Sequence, residues 1–141
     1  MILHCTYEEL TALSATASRV VSTADDSARV AAPPEALADV LSLQPRLRGD
    51  LSIHTLEDQR VVERAVEYLL DELRERMNDF ILTQHVGSED SVNAYFDYAH
   101  VYALRDRVRG IGREMTAMIE LMTVDRVDWN RKSPIGWLVR P

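Results

Sequence analysis

Five carboxylates recur at four-residue steps in one stretch of the chain: Glu63, Glu67, Asp71, Glu75 and Asp79. On a helix such a row lies along one face. Facing carboxylates joined by an acid-x-x-His pair are what a di-metal helical bundle uses. Asp97-Tyr98-Ala99-His100 has that spacing, so Glu63, Glu67, Asp97 and His100 form the metal-binding alternative. Its acid is Asp rather than Glu, and the motif occurs once, so a dimer would have to double it. A second constellation is His4, Cys5 and His54, whose imidazoles and thiol suit zinc or a nucleophilic enzyme site. Neighbouring residues of a strand point to opposite faces, which sets His4 apart from Cys5. The basic, glycine-rich run Arg107-Val108-Arg109-Gly110-Ile111-Gly112-Arg113 could hold a phosphate at a broken helix end. His85 falls at a helix end, where the helix dipole favours a cation. There is no G-x-S-x-G elbow, phosphate loop or dinucleotide fingerprint. No catalytic residue and no cofactor is therefore expected, and an enzyme is the less favoured class.

A structural reading competes for the acids. Arg105, Arg109 and Arg113 also recur at four-residue steps. With a turn centred near Ser88 and the flanking segments antiparallel, Asp71 falls opposite Arg105, Glu67 opposite Arg109, and Glu63 opposite Arg113. The same register sets Phe80 against Phe96, Met77 against Ala99, Leu73 against Ala103 and Gly110 against Val66. These six charged residues are expected to be structural ion pairs across a helical hairpin.

The elements that would carry these groups follow from capping and periodicity. Thr6 with Glu9 makes a capping box, and Leu10, Leu13, Ala17, Val20 and Val21 continue at helical spacing, predicting a helix over 7–23. Ser22 to Pro34 reads as a loop. Pro34 opens a short helix to about Leu43. Ile2–Thr6 and Ser52–Thr55 resemble each other, which suggests a strand-helix unit used twice with the strands parallel. From Leu56 to His85 the apolar residues step by three and four, and Gly87 suits the end of that helix. Ser88 or Ser91 caps the next. There Val101, Leu104, Val108, Ile111, Met115, Met118 and Met122 alternate strictly by three and four, with Tyr95, Phe96, Ala99 and Tyr102 beside them.

The chain of 141 residues suits one domain. A net charge of −7 argues against a general nucleic-acid binder and against docking on anionic lipid. No apolar run approaches the ~20 residues of a membrane span, and the first residues lack the pattern of a signal peptide. Cys5 is the only cysteine, which fits a reducing cytoplasm.

Residues 124–141 hold both tryptophans and the only lysine. Ile135-Gly136-Trp137-Leu138 resembles the short C-terminal targeting peptides of encapsulin cargo proteins, whose core is an Ile-Gly-small-Leu run. Trp137 departs from it, being far larger. The resemblance covers four residues and implies an encapsulated, cargo-type protein. The plainer reading folds the tail on its own bundle or a partner subunit, with Trp129 and Trp137 as anchors.

The expected fold is mainly α: an antiparallel long-helix hairpin within a three- to four-helix bundle, with room for two short strands in the N-terminal half. Residues 1–123 are read as one helical domain, with 1–50 an N-terminal layer and 56–85 and 91–123 the hairpin. Residues 124–141 are read as a tail. The expected function is a non-enzymatic interaction or assembly module forming a homodimer, with a protein partner for the tail as a further option. Its interface would comprise Val101, Leu104, Val108, Met115, Met118, Met122, Trp129 and Trp137.

Overall fold

Helix starts are set where a side chain takes up free backbone N–H groups. At Thr6 the capping box closes in both directions: the Thr6 N–H donates to Glu9 Oε1 (2.8 Å) and the Glu9 N–H donates to Thr6 Oγ1 (3.2 Å). Thr55 accepts from the Asp58 N–H (3.0 Å), and Ser88 Oγ accepts from the Ser91 N–H (3.2 Å). Pro34, which has no N–H to satisfy, opens the helix between them. The structure, a computed structural model, describes residues 1–23 and 33–132, with side chains through residue 124. It contains β1 (Ile2–Leu3), α1 (Tyr7–Thr23), α2 (Pro34–Leu43), a 3-10 turn (Gln44–Arg46), β2 (Leu51–Ser52), α3 (Leu56–Thr83) and α4 (Glu89–Lys132). The loop expected over Ser22–Pro34 lies mostly outside the described residues.

The fold is the expected mainly α hairpin in a four-helix arrangement, with α3 packed along α4. Gly87, at φ +88°, turns the chain between them in a conformation that glycine adopts without steric cost. Glu9 early in α1 meets Arg107 of α4, and Arg19 late in α1 feels Asp97, so α1 runs antiparallel to α4. Arg46 binds both oxygens of Asp58 (2.8 and 3.0 Å), and Arg64 binds both of Asp39 (3.0 and 3.3 Å), which fixes α2 antiparallel to α3. Leu13, Val40, Ile53, Val62, Leu69 and Leu104 are fully or almost fully buried where these helices meet. Each such side chain contributes about 1.5–3 kcal/mol through removal from water.

The two short strands pair antiparallel, Ile2 with Ser52 and Leu3 with Leu51, which corrects the parallel arrangement expected from their similarity. A turn over residues 47–49 reverses the chain before β2, and Arg46 holds the reversal by donating to Ser52 O (2.7 Å). The helical backbone of α4 continues to Lys132, past the expected boundary at 123. It has 44 residues against 28 in α3. With Glu67 beside Arg109, Leu56 comes level with about residue 120, and α4 runs on past α3 by roughly 18 Å. Among the described residues no helix is long and apolar enough to cross a membrane.

Candidate functional site

The charge ladder forms one rung of the three expected. Arg109 Nη2 donates to Glu67 Oε1. Asp71 lies instead near Arg74 on its own helix (3.9 Å), and Glu63 accepts from Gln59 Nε2 (3.1 Å). Arg105 sits 4.3 Å over the Tyr102 ring and reaches only its neighbour Asp106 (3.5 Å). Arg113 is exposed. A four-residue step drifts around a 3.6-residue helix, so a row of like charges leaves the facing line after about two turns. That drift also corrects the apolar register: Phe96 and Ala103 point to solvent, and Val101, Leu104 and Val108 take the inward positions.

The metal alternative does not assemble. Glu63 and Glu67 lie level with Arg113 and Arg109, whereas Asp97 and His100 lie nine or more residues further along α4, about 13 Å or more away. Among the described residues no group of three or more His, Cys, Asp and Glu side chains is placed to hold a metal ion. At the sheet, His4 Nδ1 lies 2.9 Å from Asp50 Oδ2, and the Cys5 N–H donates to Asp50 Oδ1 (3.1 Å). The hydrogen bond from His4 is the main reason that the Asp50 carboxyl sits below its ordinary value. Burial, aided by the negative charge of Glu9, pushes the Cys5 thiol up to about 11. A thiol so protonated at neutral pH is a poor nucleophile and a poor metal ligand. His54 is exposed two residues beyond β2.

The glycine-rich run carries a packing role at Gly112 rather than at Gly110. Gln59 is buried beneath Gly112, where its Nε2 donates to Val108 O (2.9 Å). A Cβ on Gly112 would lie 2.5 Å from that nitrogen. Gly110 does not face Val66: its Cβ would meet only Arg113 Nη2, at 3.8 Å. A wide groove of about 450 Å³ lies beside Gln59, lined by Arg60, Arg109 and Arg113 with Glu63 and Glu120. Three guanidiniums there share the space with two carboxylates, which offset the attraction for a phosphate. A cleft of about 480 Å³ between α1 and α3 is lined by Arg19, Tyr68, Glu72 and Arg76 among others. Burial and the neighbouring Arg76 lower the Arg19 guanidinium from its ordinary value, while burial and Glu72 push the Tyr68 hydroxyl up to about 12.

Sequence spacing overlooked the best-buried ion pair. Arg107 reaches Glu9 Oε1 (2.5 Å) and His4 O (3.0 Å), joining α4 to α1 and to the residue that follows β1. Only the 3% exposure of Glu9 reveals it, since as a capping residue Glu9 already had a local role.

Three of the expected interface residues belong to the chain's own core: Val101, Leu104 and Val108 have no exposed surface. They are inward because α3 and α1 cover that side of α4. Met115 is partly buried, and beyond it, level with the first turn of α3, Met118 and Met122 are 52% and 66% exposed. Trp129 falls on the helical backbone of α4, in the part whose side chains are not described. Trp137 and the run Ile135–Leu138 lie outside the described residues. A second apolar face points directly away from the core. There Val92, Tyr95, Phe96 and Tyr102 are 40–55% exposed, and Leu121 and Val124 reach 63% and 54%. Apolar surface on this scale along one helix is unusual for a monomer. No protein-family model, no curated protein and no solved structure matches the chain.

Proposed function

We propose that the protein is a non-enzymatic helical assembly module that forms a homodimer through α4. The observation carrying this reading is the exposed apolar surface of that helix, from Val92 to Val124, which α1, α2 and α3 leave uncovered. Burying such a surface in a second copy satisfies it within a closed, two-fold assembly. Association is favoured over catalysis at the Cys5–His4 pair, whose thiol is pushed up to about 11 and whose imidazole is tied to Asp50. The single cysteine suits a reducing cytoplasm, where we place the protein. The net charge of −7 leaves protein surfaces, rather than nucleic acid or anionic lipid, as the partners. Sedimentation velocity over a concentration series tests the proposal. A boundary that moves faster as concentration rises supports it, and one boundary of monomer size through tens of micromolar rejects it.

A further inference from the structure

The outward face of α4 is complementary to itself when turned end for end. Its positions step by four and three through Phe96, Ala99, Ala103, Asp106, Gly110 and Arg113, and continue through Ala117 and Leu121 to Val124. This spacing, alternating apart from one repeated four-residue step after Arg113, is the seam of a two-helix coil, on the side of α4 opposite Val101, Leu104 and Val108. We infer that two copies pair α4 to α4 antiparallel along this face, about a two-fold axis level with Val108. The inference rests on the homodimer reading and fixes its geometry.

Three observations carry it. The first is apolar register. In this alignment Val92 meets the second copy's Val124, Phe96 meets its Leu121, and Ala99 meets its Ala117. The large exposed side chains at the two ends of the face cover each other, and the small ones meet between them. The second is charge. Asp106 and Arg113, both exposed and on the same edge of the seam, come within one turn of each other across the axis, twice per dimer. In a parallel pair Asp106 would come level with Asp106 and Arg113 with Arg113, with no opposite charges paired; in the antiparallel pair the second copy's Arg113 is nearer to Asp106 than its Asp106 is, so charge favours the antiparallel sense. The third is Gly110. Glycine within a helix is unfavourable by about 1 kcal/mol relative to alanine, and nothing among the described residues requires it at this position, since a Cβ would meet only Arg113 Nη2 at 3.8 Å. Next to the axis it lets two helix backbones approach closely. The seam from Val92 to Val124 is about 50 Å long, a length over which two helices can cover the roughly 800 Å² per partner of a stable complex. The part of α4 that runs past α3 is then supported by the second copy's first α4 turns.

Charge exchange tests the register. Asp106→Arg alone and Arg113→Asp alone each place like charges across the axis, and each should weaken association at least tenfold. An equimolar mixture of the two restores both cross-axis pairs, and so does one chain carrying both changes; either should return association to within a few-fold of the unaltered protein. Both side chains are exposed, and circular dichroism should show unchanged helicity. Leu121→Glu should dissociate the dimer, while Met122→Glu, on the other side of the helix, should not. Single variants that associate normally, a mixture that does not recover, or loss of association with Met122→Glu but not Leu121→Glu would each overturn this pairing and leave the homodimer itself standing. An unaltered chain that is monomeric at every concentration overturns both.

Discussion

Glu9 does three things with one carboxylate: it completes the cap of α1, receives Arg107 from α4, and through that arginine fixes the backbone of His4. Burial alone would raise its pKa, but hydrogen bonds from Arg107 and Thr6 outweigh burial and hold it below the usual carboxylate value. The folded chain therefore binds this proton less tightly than the unfolded chain. Stability from Glu9 is fully present above the unfolded value of about 4.3 and is lost as pH falls through the lower folded value. Glu9→Gln should lower stability at pH 7 by about 1–3 kcal/mol. Urea unfolding of both proteins should show the gap shrinking below about pH 4; a gap independent of pH would mean that the carboxylate charge contributes nothing. At the two glycines, alanine should act in opposite directions in the monomeric chain. Gly112→Ala pushes on the buried, hydrogen-bonded Gln59 and should cost about 1–2 kcal/mol despite better helix propensity. Gly110→Ala should gain about 1 kcal/mol. Denaturant melts at concentrations too low for association would report both signs.

Among the elements, α4 differs from the others in using both of its faces. Its inward seam makes the core, so Leu104→Ala should lower stability by about 2–5 kcal/mol in urea unfolding. On its outward face Leu121 is 63% exposed among the described residues, so Leu121→Glu should leave the melt unchanged at concentrations too low for association. The helices themselves were legible in the sequence, because capping boxes and Gly87 are local signals that need no tertiary knowledge: α1 and α2 begin where Thr6 and Pro34 put them. The offset of α3 against α4 was legible too, through Glu67 and Arg109. Which face of α4 looks inward was not. Strict three-four spacing marks the Val101–Met122 seam and the aromatic row beside it equally as apolar, and it carries no information about where α1 lies. The Val101–Val108 part of the seam read as an interface is therefore core, while Met118 and Met122 at its far end stay exposed, and the aromatic row read as a neighbour to be covered is also left open. The end of α4 was likewise hidden, since the charged and polar residues after Met122 interrupt the apolar pattern without breaking the helix. Strand direction was missed because Ile2–Thr6 and Ser52–Thr55 resemble each other in composition, while direction is set by the reversal that Arg46 stabilises.

At the scale of the whole molecule, four helices close a core around α3 but leave the longest helix half-clothed. The metal reading loses its geometry here, since Asp97 and His100 stand well away from Glu63 and Glu67. Self-association is what the exposed surface of α4 calls for, and mass decides it. Light scattering after size exclusion at tens of micromolar should give about 32 kDa, twice the 16.0 kDa of one chain. A mass of 16.0 kDa throughout that range would contradict the account.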